Sequence, residues 1–216
     1  MDFKIEIAIH PFKNGKIIIN CPGSDGSLDG YENKYVKMAE YLIKNKLGSV
    51  VRMPNPYTFG FGWEMCLRNV INYAIKHSQE ICGSKKPEIY LMGFSVGGGA
   101  VALLAWEYPE VKKVLLLEAV PSVGPVQARE ALKQYAGEIV VVAGGTEEAL
   151  GPDMGKAFYD FVPNVSKKEM IILDNCDHQF RGEANGRIMS EAPIYAFADG
   201  PKIKFPDPKG GIKLYD

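Results

Sequence analysis

The chain has 216 residues, and its 25 Lys and Arg are balanced by 26 Asp and Glu with no block of like charge. This length suits one α/β domain, so residues 1–216 are predicted to form a single domain with its core at about 3–185. The even charge excludes the basic footprint of a nucleic-acid-binding protein and favours a small, neutral or weakly charged ligand.

The first residues alternate apolar and polar side chains, which is typical of a strand and unlike the apolar core of a signal peptide. No run of the chain approaches the length that crosses a membrane. The four cysteines stand singly without CxxC spacing, so neither a metal site nor a disulfide framework is indicated. A cytoplasmic protein is predicted.

Short apolar runs rich in β-branched residues recur along the chain, with helical stretches between them. The runs cover residues 3–9, 16–21, 49–53, 88–93, 113–119, 138–144 and 169–174. This alternation predicts βαβ units, and therefore a three-layer α/β fold with helices on both faces of a mostly parallel sheet of about seven strands.

Turn and helix signals refine this prediction. Asn14-Gly15 separates the first two runs and predicts a hairpin, which makes the first run an antiparallel edge strand. Helical periodicity predicts helices over residues 31–48, 63–83, 96–108 and 124–137.

Residues 186–216 differ from the rest because they are rich in Gly and Pro and contain only short apolar stretches. They predict a C-terminal extension, partly helical, that packs on the domain and ends in an ordered arm or hairpin. A contact between copies of the chain or a flap near the site is the alternative, so a homo-oligomer is left open.

Residues 93–97 read Gly-Phe-Ser-Val-Gly, which matches the pattern G-x-S-x-G. The match follows a strand-like run and precedes a helix-like one, the setting in which a tight turn exposes a serine nucleophile. The glycines are needed because side chains at 93 and 97 would collide where strand and helix backbones meet. The pattern therefore predicts Ser95 as a nucleophile, against the alternative of a tight turn with an incidental serine.

A serine needs a base to become a good nucleophile, and the chain offers three histidines. His10 lies in the predicted hairpin and His77 lies among charged helical residues. His178 follows Ser95 in the sequence and comes just after the last strong strand, where an α/β fold builds its site. His178 is therefore predicted as the base.

With its nucleophile and histidine in this order, the chain resembles the α/β-hydrolase superfamily over residues 3–185, as a small, lidless, esterase-like member. The resemblance implies an acid after the strand that precedes the histidine strand, in the stretch GGTEEALGPD. Placing the family pattern on it selects Glu148 as the catalytic acid, with Glu147 and Asp153 as alternatives.

The resemblance also implies an oxyanion hole made of two backbone N–H groups. Val96 N–H, directly after the nucleophile, is the first donor. Matching Pro22-Gly23 to the family's early turn gives Ser24 N–H as the second, although Pro22 replaces the usual histidine. Without the family, this stretch is an ordinary loop.

These residues predict a serine hydrolase that cleaves small carboxylic esters through an acyl-enzyme, with no metal and no cofactor. The aromatic stretch of residues 54–63 predicts a pocket wall, or alternatively packing at the sheet edge; its aromatic residues are Tyr57, Phe59, Phe61 and Trp63. A thioesterase, peptidase or acyltransferase with the same triad, or a ligand-binding protein without turnover, remains open. Dinucleotide binding is weaker because GFSVGGG lacks the G-x-G-x-x-G spacing.

Overall fold

The structure is a computed structural model that describes residues 4–55, 62–122, 124–146, 152–163, 167–200, 204–205 and the backbone of 212–215. Within these ranges eight strands form one sheet. They are β1 (Ala8–His10), β2 (Lys16–Cys21), β3 (Ser49–Arg52), β4 (Glu88–Phe94), β5 (Val111–Leu117), β6 (Glu138–Gly144), β7 (Lys168–Leu173) and β8 (Ile212–Tyr215).

The strands lie side by side in the order β1-β3-β2-β4-β5-β6-β7-β8. The six strands β2 to β7 are parallel, and the two edge strands β1 and β8 are antiparallel to their neighbours. The parallel strands are apolar along their length because helices cover both faces of the sheet. Their carboxyl ends therefore share one edge.

Eight α-helices connect the strands in the described part of the chain. They are α1 (Lys34–Lys44), α2 (Trp63–Lys76), α3 (Ser78–Cys82), α4 (Val96–Leu104), α5 (Pro125–Leu132), α6 (Pro152–Phe161), α7 (Glu183–Gly186) and α8 (Ile188–Phe197). Buried residues of α1 and α8 pack with one face of the sheet, and those of α2 to α6 pack with the other. The predicted three-layer α/β fold with helices on both faces is confirmed.

The antiparallel N-terminal edge strand is confirmed, but the predicted hairpin is wrong. Residues of β1 pair with β3 rather than with β2, so β3 lies between the two strands that Asn14-Gly15 joins. A turn signal describes the local reversal of the chain. It does not decide which neighbour the reversed strand finds.

The C-terminal extension packs on the sheet. Helix α8 buries Ile188, Ala192 and Phe197 in the same apolar cluster as α1, and β8 pairs with β7. The four cysteines are free and buried. No helix in the described ranges is long and apolar enough to cross a membrane.

Candidate active site

Ser95 lies at the sharp turn between β4 and α4, at the carboxyl edge of the sheet. Its φ of 54° and ψ of −127° are a strained combination for a residue with a side chain. Hydrogen bonds fix this conformation from both sides: Ser95 N–H donates to the carbonyl of Leu117, and the Ser95 carbonyl accepts from Gly99 and Val120. The serine is therefore held in place by its own backbone.

The glycines around Ser95 allow three backbone segments to meet. A Cβ on Gly97 would collide with the carbonyl oxygens of Cys21 and Pro22, and a Cβ on Gly93 would collide with the backbone of Gly97 and Gly98. The start of α4 consequently lies directly on the loop that follows β2. This is the steric reason for the glycines that the sequence pattern predicts.

His178 lies in the loop after β7 and faces Ser95. Its Nε2 is 3.1 Å from Ser95 Oγ, within hydrogen-bond distance. The imidazole is largely buried, with 9% of the residue exposed, and its ring packs against the ring of Phe94 at a centroid separation of 5.2 Å. The two residues that the sequence singled out, 83 positions apart, are thus side by side.

A buried carboxylate faces the other side of the imidazole. Glu118 Oε2 lies 3.5 Å from His178 Nδ1, and Oε1 accepts a hydrogen bond from Gly144 N–H. Glu118 is 3% exposed and follows β5 with a φ of 48°, a positive value that residues with a side chain rarely adopt. A carboxylate buried this deeply needs hydrogen-bond partners for its oxygens, and Gly144 N–H is one of them.

The acid that faces His178 is therefore Glu118, one strand earlier than the sequence prediction of Glu148. Both Glu147 and Glu148 lie outside the described residues, and Asp153 is exposed in the first turn of α6. The sequence does contain a signal for Glu118: it is the charged residue that ends the apolar strand VKKVLLL. The predicted apolar run 113–119 includes it.

Gly144 explains how Glu118 and His178 come together. A Cβ at this position would collide with the carbonyl oxygen of Cys176 and with Glu118 Oε1. The end of β6 is thus in contact with both the acid and the histidine loop. The same loop is anchored by Thr146, whose hydroxyl and N–H donate to the carbonyl of Cys176.

The loop after β2 lies against Ser95, as the predicted oxyanion hole requires. A Cβ on Gly23 would be 3.2 Å from the Cβ of Ser95, and Ser24 follows it at the exposed surface. Val96, the other predicted donor, is the first residue of α4. Their N–H groups remain predicted donors.

Two buried side chains fix this loop to the sheet. Asn55 is fully buried, its Nδ2 donates to the carbonyl of Pro22, and its N–H donates to the carbonyl of Gly26. Arg52 Nη1 donates to the carbonyl of Leu28 and pairs with Asp29. The loop beside the serine is consequently held at both ends.

The predicted pocket wall is only partly described. Tyr57, Phe59 and Phe61 lie outside the described residues, and Trp63 begins α2, half-buried against the apolar core. A cavity of about 650 Å³ lies instead next to the His178 loop, and 12 residues line it: Tyr31, Glu32, Lys34, Lys37, Gln179, Phe180, Arg181, Gly182, Glu183, Gly186, Met189 and Ser190.

A competing nucleophile near the site is disfavoured. Burial is the main cause that raises the pKa of the Cys176 thiol to about 12, with the carboxylates of Glu118 and Asp177 adding to it. The thiol stays protonated at neutral pH, and a protonated thiol is a poor nucleophile. Among the described residues no three His, Cys, Asp or Glu side chains are grouped so that they could hold a metal ion.

Solved structures of hydrolases share the fold of this chain. Dienelactone hydrolase from Anabaena variabilis ATCC 29413 has a TM-score of 0.66 at 18% identity, over 91% of this chain and 94% of that one. Est1E from Butyrivibrio proteoclasticus, solved with ferulic acid bound, gives 0.64 at 18% identity over 87% and 92%. The esterase domain of a Rhodothermus marinus protein gives 0.60 at 15% identity over 87% and 96%.

The chain has the α/β-hydrolase fold. In sequence, no family model matches it and no curated protein matches it. At these identities the likeness is one of fold, and an α/β-hydrolase fold does not by itself determine a reaction. Any reaction must therefore be argued from the side chains of the site, and Ser95, His178 and Glu118 meet where the parallel strands end.

Proposed function

We propose that the protein is a serine hydrolase that cleaves carboxylic esters through an acyl-enzyme. The observation that supports this most is the 3.1 Å separation between Ser95 Oγ and His178 Nε2, with a buried carboxylate on the other side of the imidazole. A hydroxyl, an imidazole and a carboxylate in this sequence of contacts activate a serine as a nucleophile.

In the proposed acylation, the hydroxyl of Ser95 donates its hydrogen to His178 Nε2. As Oγ attacks the ester carbonyl carbon, the proton passes to Nε2 and the carbonyl π electrons move to the oxygen. The protonated His178 then gives its proton to the oxygen of the departing alcohol. The C–O bond of the ester breaks, and the acyl group is left on Ser95.

Deacylation repeats these steps with water in place of the serine. His178 takes a proton from water as its oxygen attacks the acyl carbon, and then returns a proton to Ser95 Oγ as the acid leaves. Two N–H groups, those of Val96 and Ser24, are the proposed donors to the oxyanion in both steps. Backbone donors suit this role because they are fixed before the charge develops.

Glu118 is the proposed acid in place of Glu148. Its position against His178 Nδ1 favours the tautomer in which Nε2 is free to accept a proton, and its charge stabilises the imidazolium that forms. The hydrogen bond from Gly144 N–H fixes the carboxylate in the orientation that this role needs.

Intact-mass spectrometry after incubation with a fluorophosphonate tests the proposal. The reagent phosphonylates an activated serine and releases fluoride, so wild type should gain one adduct. Ser95→Ala should gain none, and Ser84→Ala, which removes a surface hydroxyl far from the site, should label like wild type. An adduct that persists in Ser95→Ala would contradict the proposal, as would folded wild type that gains none.

A panel of matched acyl compounds then tests the substrate class. Small carboxylic esters are expected to be hydrolysed with bound acyl-enzyme detectable at early times. Thioesters and peptides share the same acyl chemistry, so turnover of one of these without ester turnover would replace the esterase proposal by one of its alternatives.

A further inference from the structure

The cavity next to the His178 loop contains a half-buried cation, Lys34. Its Nζ lies 5.6 Å from the ring centroid of Phe94 and 5.1 Å from that of Tyr35. Phe94 directly precedes Ser95, and its ring packs against His178. The ring of Phe94 thus contacts the ammonium of Lys34 and the imidazole of His178.

Three features disfavour the positive charge of Lys34. Burial lowers the pKa of its ammonium. Lys34 is the first residue of α1, where the helix dipole repels a cation, and the first turn of α1 has no acidic residue. No carboxylate in the described ranges lies within ion-pair distance of Nζ. An anion beside Lys34 would relieve all three.

The cavity offers room for such an anion. Its volume of about 650 Å³ is that of a small-molecule site, and Phe180 and Met189 give it apolar wall. Phe180 also contacts the ring of Phe94, at a centroid distance of 6.0 Å, and Gln179, the residue after His178, lines the cavity, so the cavity borders the His178 loop. A substrate held at Ser95 would extend past this loop to place a charged end in the cavity.

The charges around the cavity favour a singly charged group. The side chains of Lys34, Lys37 and Arg181 face those of Glu32 and Glu183, and Arg181 is already paired with Asp177 at 3.4 Å. Glu32 and Glu183 are exposed, so water screens them more than the half-buried Lys34. Lys34 is therefore the least screened charge of the cavity, and a single carboxylate would pair with it.

We propose that this cavity binds a carboxylate carried by the substrate, and that Lys34 is the residue that selects it. The inference rests on the proposed ester hydrolysis and adds its substrate class: esters whose acyl part ends in a carboxylate. The aromatic rings hold the apolar stem of the acyl chain, and Nζ donates to the carboxylate in a charge-assisted hydrogen bond.

The test compares two esters that differ in this charge, 4-nitrophenyl pentanoate and mono-4-nitrophenyl glutarate. We expect wild type to prefer the glutarate ester in kcat/KM. In Lys34→Met, which keeps the apolar stem, this preference should fall by about tenfold or more, mainly through KM. Lys44→Met removes a charge at the exposed end of the same helix and should retain the preference.

An unchanged preference in Lys34→Met would overturn the inference while leaving the proposed hydrolysis intact. Loss of both activities in Lys34→Met with a lowered midpoint of thermal unfolding would indicate misfolding, and binding then decides. Calorimetry measures glutarate binding to Ser95→Ala and to Ser95→Ala with Lys34→Gln. Weaker binding of glutarate to the double variant supports the carboxylate site. Equal binding to both variants, or binding to neither, overturns it.

The same binding measurement separates the two proposals if wild type hydrolyses neither ester. Absence of hydrolysis and of fluorophosphonate labelling would contradict the serine hydrolase. Glutarate bound in a Lys34-dependent way would still support the carboxylate site, and no such binding would remove it as well.

Discussion

The proposed reacting groups and the cavity beside them are built in opposite ways. Ser95, His178 and Glu118 are positioned by strand ends, tight turns and backbone hydrogen bonds, and the histidine and glutamate are buried. The cavity is lined mostly by long side chains from the start of α1 and from the segment after His178, of which Lys37 and Arg181 are exposed.

Under the two proposals, this difference separates chemistry from selectivity. A change at Gly97 or Gly144 would move a backbone segment that touches a reacting group, whereas a change at Lys34 or Lys37 would exchange a side chain on an unchanged frame. Substitutions in the first region should therefore affect every substrate, and those in the second should affect substrates according to their charge.

The largest effect is expected for the base. His178→Ala should lower kcat by about 10⁴-fold or more because Ser95 then has no group to take its proton. His77→Ala removes a histidine that stacks on Tyr73 in a distant helix and should keep wild-type activity. Steady-state kinetics with one ester measures both variants. Nearly full activity in His178→Ala would contradict the proposed role of His178 as the base.

A smaller effect on all substrates is expected when the loop beside Ser95 is loosened. Asn55→Ala removes the donor to the Pro22 carbonyl, so kcat should fall about tenfold and the free energy of unfolding by about 1–3 kcal/mol. Asn45→Ala removes a similar bond at the exposed end of α1 and is the matched control. Kinetics combined with urea unfolding checks both values; a loss confined to charged esters would contradict this account.

The pH dependence of stability reports on the same loop anchor. His10 Nε2 accepts a hydrogen bond from Arg52 Nε, and its pKa is lowered, first by burial and then by the Arg52 charge, while Glu40 opposes the shift. The histidine of the unfolded chain takes up its proton near pH 6.5, whereas His10 of the folded protein does so at a lower pH. Below pH 6.5 the unfolded state therefore binds more protons than the folded state. Stability should fall over that window until the folded His10 also protonates.

Chemical unfolding measured at several pH values between 7 and 5 tests this sign. The stability of His10→Gln should decrease less over the window than that of wild type, and His77→Gln should follow wild type. A wild-type protein that becomes more stable on acidification relative to His10→Gln would reverse the inferred shift.

The smallest change is expected for the four thiols, which are buried. Burial raises the pKa of Cys21, Cys66, Cys82 and Cys176. A thiol-specific disulfide reagent at neutral pH should therefore react slowly with the native protein. After unfolding, the reagent should react with all four thiols. A fast-reacting native thiol would show that the segment around that cysteine opens more readily than its burial implies.

The parallel strands and the turn at Ser95 could be predicted from the sequence because their signals are local. The apolar runs predict the parallel strands, and the glycines around Ser95 predict the turn, since both follow from sterics within a few residues. The pairing of β1 with β3 depends on which sheet edge is free, a property of the whole fold. The strand β8 has four residues and no comparable pattern.

Glu118 and the cavity show a further limit of sequence reasoning. Glu118 faces His178 because the ends of β5 and β7 meet across the end of β6 at Gly144, and nothing near Glu118 in the sequence indicates that partner. Lys34 lies in a stretch with ordinary helical periodicity, and its burial against Phe94 arises from tertiary packing. Side chains from distant segments define both features.

Glu118 is the proposed acid that acts on Ser95 through His178. The kcat of Glu118→Gln tests this role most directly, because this variant keeps the shape and removes the charge. We expect a fall of about 10²- to 10⁴-fold, with Glu148→Gln and Asp153→Asn close to wild type. Wild-type activity in Glu118→Gln, together with an inactive Glu148→Gln, would contradict the account.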